Sequence, residues 1–232
     1  MNYKISQYGE SAVLIQFNKE ISIGVHQEVR VVYEGLRKQA FKGVKAVIPA
    51  YNSITLLYES ALLNLKGIKS IVKEVIQNFD LNLLSSYQIE IPVCYDPSFA
   101  IDKEAVLNET KLSWEEIVSI HSSPQYLVYM LGFVPGFLYL GGLDERLFIP
   151  RLDEPRLKVE SGSIGLASNQ TGIYPMAISG GWQIIGRTPI DLLELSKTVK
   201  IEMGDFVKFF PITKDQFKLN KYQPKRMLIH GN

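Results

Sequence analysis

A chain of 232 residues, 46% hydrophobic and with 25 basic against 24 acidic side chains, is long enough for one large or two ordinary domains. Its net charge of +1 argues against a general nucleic-acid binder, which would show a basic excess. A single cysteine, Cys94, excludes internal disulfides and any multi-cysteine metal centre, and makes a reducing compartment, the cytoplasm, the expected location.

The first ten residues, MNYKISQYGE, lack the apolar stretch of a secretion signal. From Tyr3 the pattern predicts strand, turn, strand: Tyr8-Gly9-Glu10 makes the turn, and Val13, Ile15 and Phe17 alternate on one face. A helix follows, because Val25, Val29, Val32 and Leu36 recur at three- and four-residue spacing behind Ser22 as N-cap. Residues 44–48 and 54–58 read as a strand pair. Leu65, Ile68, Ile71, Val72, Val75, Ile76 and Phe79 then form the apolar side of a second helix, with Lys66, Lys69 and Lys73 on its wet side. The order ββαββα predicts a small two-layer α+β domain, helices on one face of an antiparallel sheet. The polar stretch 80–86 sets the expected boundary between a first domain, 1–85, and a second, 86–232.

β-Structure restarts over 87–93, and two short helices follow. The second opens on a capping box, Ser113 with Glu116, and its apolar side is Trp114, Ile117 and Val118. His121 falls near its C-terminal end, where the helix dipole favours a protonated imidazole. The run from Ile117 to Leu143 has no Asp, Glu, Lys or Arg, but Pro124, Pro135 and four glycines interrupt it. A spanning helix needs about 20 continuous apolar residues, so no membrane span is expected.

Ten of the seventeen glycines lie between Gly132 and Gly186, and no charged side chain occurs between Glu160 and Arg187. Uncharged, glycine-broken, aromatic-bearing segments point to short strands and tight turns with closely approached backbone. They are either the corners of a small β-barrel or corners that also line a site. Between the two halves, Pro150-Arg151 and Pro155-Arg156 present arginines from stiffened loops. Such arginines suit bidentate capture of carboxylate or phosphate, or else a surface ion-pair cluster. Residues 207–210 read as a further strand, and the tail from Lys214, with Lys218, Lys221, Lys225 and Arg226, as a polar extension. No P-loop, Gly-x-Ser-x-Gly elbow or His-Glu-x-x-His occurs, and three scattered histidines give no reason to expect a metal centre.

Three blocks in order, GFVPGFLYL from Gly132, GSIGLASNQTGIYP from Gly162 and GGWQIIGRTP from Gly180, resemble the family of allophanate hydrolase subunit 1. That family includes a subunit of bacterial ATP-dependent 5-oxoprolinase and the histidine-kinase inhibitor KipI. The resemblance covers essentially the whole chain. It departs from the usual pattern at Ser168-Asn169, where glycine-rich pairs are common, and at Val159-Glu160-Ser161, where Val-Pro-Ala is typical. It implies an α+β N-terminal domain followed by a cyclophilin-like β-barrel.

The activity it implies is that of a non-autonomous subunit of a 5-oxoprolinase, opening the lactam of 5-oxo-L-proline to L-glutamate at the expense of ATP. The implied partners are a second 5-oxoprolinase subunit of homologous type, similar to KipA, and a third lactam-utilisation subunit. With no nucleotide motif in this chain, the ATP site is expected on, or shared with, a partner. The alternatives are inhibition of a sporulation sensor histidine kinase and a role in an allophanate hydrolase or urea carboxylase. Prolyl isomerisation is suggested only by barrel likeness, which does not carry function. Nucleic-acid and membrane partners are not expected. Within this scheme His121 is the candidate for proton transfer. Arg187, Arg151 and Arg156 supply charge, and Gln170, Thr171 and Tyr174 supply hydrogen bonds. Gly132, Gly136, Gly180 and Gly181 offer backbone N–H groups, with Phe133, Pro135, Trp182 and Thr188 around the substrate.

Overall fold

The computed structural model describes residues 1–78 and 84–229. Phe79 and most of the expected boundary stretch lie outside the described residues. The chain divides into two compact units, Met1–Ser85 and Ser86–Asn232.

The first unit contains β1 (Lys4–Gln7), β2 (Ala12–Gln16), α1 (Ile23–Lys38), β3 (Val44–Pro49), β4 (Ser53–Tyr58) and α2 (Leu65–Asn78). The strands form one antiparallel sheet in the order β1-β2-β4-β3. The Ser22 side chain accepts from the Val25 N–H and so starts α1 as its sequence predicts. Val25, Val29, Val32 and Leu36 are all buried. α1 packs on α2 and on β3 and β4, while α2 packs on β1.

The second unit is built on eight strands: β5 (Ser86–Val93), β6 (Gln125–Leu131), β7 (Leu138–Gly141), β9 (Ser163–Ala167), β10 (Gln170–Ile173), β12 (Gln183–Arg187), β13 (Phe206–Pro211) and β14 (Arg226–Ile229). Their order is β12-β9-β10-β7-β6-β13-β5-β14, antiparallel except for the parallel β13–β5 pair. β8 (Arg156–Val159) and β11 (Ile178–Gly180) make a separate two-stranded sheet. Helices α3 (Lys103–Thr110), α4 (Trp114–Ser122), α5 (Leu192–Thr198) and α6 (Lys214–Leu219) complete it. The main core joins Ile89 and Ile91 of β5, Tyr126 and Val128 of β6, Leu140 of β7, Leu166 of β9 and Phe209 of β13 with Ile117 of α4. Among the described residues no helix is long and apolar enough to cross a membrane.

Among the described residues the expected closed barrel is not found. Among the described residues β12 meets the end of β5 at one isolated bridge, Cys94 with Arg187, whose two backbone bonds measure 2.8 and 3.0 Å. Pairing stops there because Asp96 folds the chain away: its carboxylate accepts from the Ser98 N–H and its carbonyl from Phe99 and Ala100. Gly186 permits the bridge, since a Cβ there would lie 2.9 Å from the Cys94 carbonyl oxygen.

The tail also differs from its expectation as a polar extension. It forms α6 and then β14, and Arg226 of β14 bonds Asp205, which is fully buried. A charge in the tail is paired inside the unit because β14 adds to the edge of β5.

Ser168 turns the β9–β10 hairpin with φ +52, a region costly for any residue with a Cβ. Ser168→Gly should therefore raise stability by about 0.5–1 kcal/mol, seen as a higher melting temperature. A lower one would show that the serine hydroxyl contributes more than the strain removes.

Candidate functional site

A second, smaller apolar cluster is made of Phe137, Val159, Ala167, Tyr174, Trp182 and Ile184. Its aromatic members meet edge to face: Phe137 lies 5.1 Å from Tyr174 and 5.4 Å from Trp182, with rings near perpendicular. That arrangement suits the aromatic quadrupole and holds the rings firmly. Gly165 of β9 and Gly172 of β10 are cross-strand partners, and together they make room for Trp182. A Cβ on either would come within 2.9 Å of the indole side chain. The glycine content of the second block is thus explained in part by the ring laid over it.

Beside this cluster lies a pocket of about 250 Å³. Phe137, Tyr139, Tyr174 and Trp182 form its aromatic wall, Pro155 and the segment Ser179, Gly180 and Gly181 another side, and Phe133 and Arg151 complete the lining. Gly180 makes room for Tyr174, because a Cβ there would stand 2.3 Å from its hydroxyl and the ring would have to shift. Phe133 has φ +67 and is 62% exposed, with Val134 N–H donating to the Gly132 carbonyl across it at 2.8 Å. This is a γ-turn about a non-glycine residue, a strained conformation costing about 1–3 kcal/mol. Burial raises the phenol pKa of both Tyr139 and Tyr174, while the Arg151 charge works against that rise in each. The two hydroxyls therefore stay protonated at neutral pH. Among the described residues no Asp, Glu, His, Lys or Cys lines the pocket. Its chemistry is that of a binding pocket for a flat or apolar body, with one cation at the edge.

Six of the residues singled out in the sequence therefore share one lining: Phe133, Arg151, Tyr174, Gly180, Gly181 and Trp182. Gly132, Pro135 and Gly136 shape the turn that carries Phe133 and Phe137, and Gly136 takes φ +82 against Pro175 and Leu193. Gln170 opens β10 next to the hairpin turn.

Arg156 is committed elsewhere. Its guanidinium pairs with Asp102 and donates to the Trp182 carbonyl at 3.3 Å. The other Asp102 oxygen accepts from the Ile184 N–H at 2.6 Å. Arg156 thus fastens β8 to β12 and is not available as an anion clamp. Arg187 and Thr188 line a different cleft, of about 440 Å³, with Phe99, Asp191 and Phe217. There the Arg187 Nε donates to the Ser161 carbonyl at 2.7 Å, and Thr188 is buried, its hydroxyl accepting from the Ile190 N–H.

His121 lies in the core. It is wholly buried, stacked on Phe209 at 4.9 Å, with Tyr95 Oη 2.7 Å from Nδ1 and Thr171 Oγ1 2.9 Å from Nε2. Thr171 donates onward to the Gly165 carbonyl, so it accepts from His121 Nε2–H, and Nδ1 accepts from Tyr95. Burial lowers the imidazole pKa to about 3, against 6.5 for the free side chain. The helix dipole, which favours the protonated form, is overridden by desolvation. His121 and Thr171 are a neutral core network, with no opening to a substrate.

Sequence reasoning missed Phe137, Tyr139, Pro155 and Ser179. Two of these carried a signal: Phe137 and Tyr139 alternate within the first block and so fall on one face.

Residues 3–201 match the family described as the carboxyltransferase domain, subdomain C and D. The chain belongs to this carboxyltransferase-domain family. Within it, the B-type subunit of 5-oxoprolinase from Bacillus subtilis (strain 168) is 37% identical over 234 residues, covering 95% of this chain and 98% of the relative. The same B-type subunit from Escherichia coli O157:H7 is 36% identical over 206 residues, covering 88% and 93%. Among solved structures, urea carboxylase of Kluyveromyces lactis superposes with a TM-score of 0.78 over 98% of this chain at 16% identity. The chain spans 24% of that enzyme, and the likeness is one of fold. As a carboxyltransferase-domain chain it is a mixed α+β protein with several sheets and, among the described residues, six α-helices.

Proposed function

We propose that this chain is a cytoplasmic subunit of an ATP-dependent 5-oxoprolinase and works only together with partner subunits. The observation that carries the reading is the identity of 37% to a B-type 5-oxoprolinase subunit, spread over 98% of that relative. Urea carboxylase shares the fold at far lower identity, so it bears on architecture and not on substrate.

A lactam carbonyl is a weak electrophile. Transfer of the ATP γ-phosphoryl group to the lactam oxygen activates the ring carbon. Water attacks that carbon and the C–N bond breaks with a proton going to nitrogen, which leaves an acyl phosphate; a second water hydrolyses it to the free carboxylate and phosphate. The pocket contributes an aromatic surface for the ring and the Arg151 charge for the substrate carboxylate. A triphosphate fits it poorly, because its walls are apolar and it offers one guanidinium. ATP is accordingly assigned to a site on, or shared with, a partner. The proton reaching nitrogen comes from a group other than His121, which is buried and neutral.

The test is co-expression with the products of neighbouring genes, followed by measurement of 5-oxoproline-dependent phosphate release and glutamate formation. The assembled complex is expected to turn over and the purified chain alone to give none. Turnover by the single chain overturns partner dependence. A complex active on allophanate or urea but not on 5-oxoproline overturns the substrate.

A further inference from the structure

We infer that the pocket bounded by Phe137, Tyr139, Tyr174 and Trp182 is a self-contained binding site for a small ring-bearing carboxylate, with Arg151 as its anion anchor. The choice of a lactam for the ring rests on the function proposed above; the site itself rests on the geometry.

The aromatic wall is built before any ligand arrives. Phe137 and Tyr174 are 1% exposed and Trp182 is 8% exposed, and all three are fixed by edge-to-face contacts. A preformed wall avoids the ordering cost that weakens flexible sites. The volume of about 250 Å³ is below that of pockets for drug-sized ligands, roughly 300–1,000 Å³, and suits a single small ring.

Arg151 sets the charge of the ligand. Of the three arginines between Asp144 and Glu160, Arg146 pairs with Asp144 and Arg156 with Asp102. The Arg151 side chain has no hydrogen bond or ion pair among the described residues. Its charge is felt at both wall phenols, those of Tyr139 and Tyr174. An aromatic cage without a cation suits a quaternary ammonium. With an uncommitted guanidinium at the rim and no carboxylate in the lining, the complementary ligand is an anion, and the planar fork fits a carboxylate in bidentate fashion. Pro150 stiffens the loop just before it. Phe133, strained and exposed at the same rim, adds an apolar edge that contact with a ligand would cover.

The experiment is titration of the full purified chain with 5-oxo-L-proline, read by calorimetry and by tryptophan fluorescence, to which Trp182 of the wall contributes. The uncharged ring, 2-pyrrolidinone, serves as the comparison. Wild type is expected to bind 5-oxoproline saturably and more tightly than the uncharged ring. Arg151→Gln should weaken 5-oxoproline binding roughly tenfold or more while leaving pyrrolidinone binding unchanged. Arg151 is exposed, so the variant keeps its fold. Gly180→Ala, which pushes on the Tyr174 hydroxyl, should weaken both ligands. Equal affinity of wild type and Arg151→Gln for 5-oxoproline overturns the anchor. Absence of binding by the chain, with the assembled complex turning over 5-oxoproline, overturns the site and leaves the proposed function standing. Binding by the chain with no turnover by any complex supports the site and overturns the function.

Discussion

Lowering the pH from 7 to 5 is expected to cost the second unit ~2 kcal/mol of stability through His121 alone. The imidazole pKa is about 3 in the folded protein against 6.5 when free, so the unfolded chain binds the proton first. The stabilisation is therefore complete above pH 6.5 and is lost as the pH falls toward 3. Asp205 acts with the opposite sign: burial raises its carboxyl pKa, partly offset by Glu202 N–H and Arg226, so falling pH favours its folded form. Urea denaturation followed by tryptophan fluorescence reads the right unit, since both tryptophans, Trp114 and Trp182, lie within Ser86–Asn232. The quantity to compare is the pH dependence of wild type against that of His121→Gln, so that other titrating groups cancel. The variant should be less stable at pH 7, and the gap should narrow by ~2 kcal/mol at pH 5. An NMR titration of the His121 ring checks the cause directly. A folded-state pKa above 6 would remove the explanation.

Asp205→Ala is expected to destabilise the same unit by about 3 kcal/mol or more. This carboxylate is fully buried and ties three elements together. It accepts from the Tyr87 N–H at the start of β5 at 3.0 Å, from the Glu202 N–H at 2.9 Å, and from the Arg226 guanidinium of β14 at 2.9 and 3.2 Å. The Arg226 guanidinium also lies 3.7 Å from the centre of the Tyr87 ring. Removing the carboxylate leaves two N–H donors and a cation without their partner, the costly half of the hydrogen-bond asymmetry. Asp205→Asn keeps one acceptor and should lose less. Arg226→Ala should loosen β14, visible as faster amide exchange at residues 86–89, which pair with it. Asp205→Ala within ~0.5 kcal/mol of wild type, the range of ordinary surface changes, would show that the clamp contributes little.

The amino-acid sequence by itself determined the features that depend on residues within a turn or two of each other. The burial of Val25, Val29, Val32 and Leu36 follows from helical periodicity, and the starts of α1 and α4 follow from the caps at Ser22 and Ser113. The family was legible in three short blocks, and most of the pocket's aromatic residues lie in or beside them.

Only the tertiary structure decided which polar groups are free. Arg151 and Arg156 look alike in sequence, each behind a proline, yet Arg156 is neutralised by Asp102 from 54 residues away. His121 reads as a charged helix end until Tyr95, Thr171 and Phe209 close over it and desolvation outweighs the dipole. The tail reads as polar until Arg226 meets Asp205, and β5 ends its pairing with β12 at Cys94 because Asp96 turns the chain away. Local periodicity and capping are short-range and appear in the order of the residues. Burial and ion pairing are settled by groups brought from distant parts of the chain, and a buried charge takes its meaning from that partner.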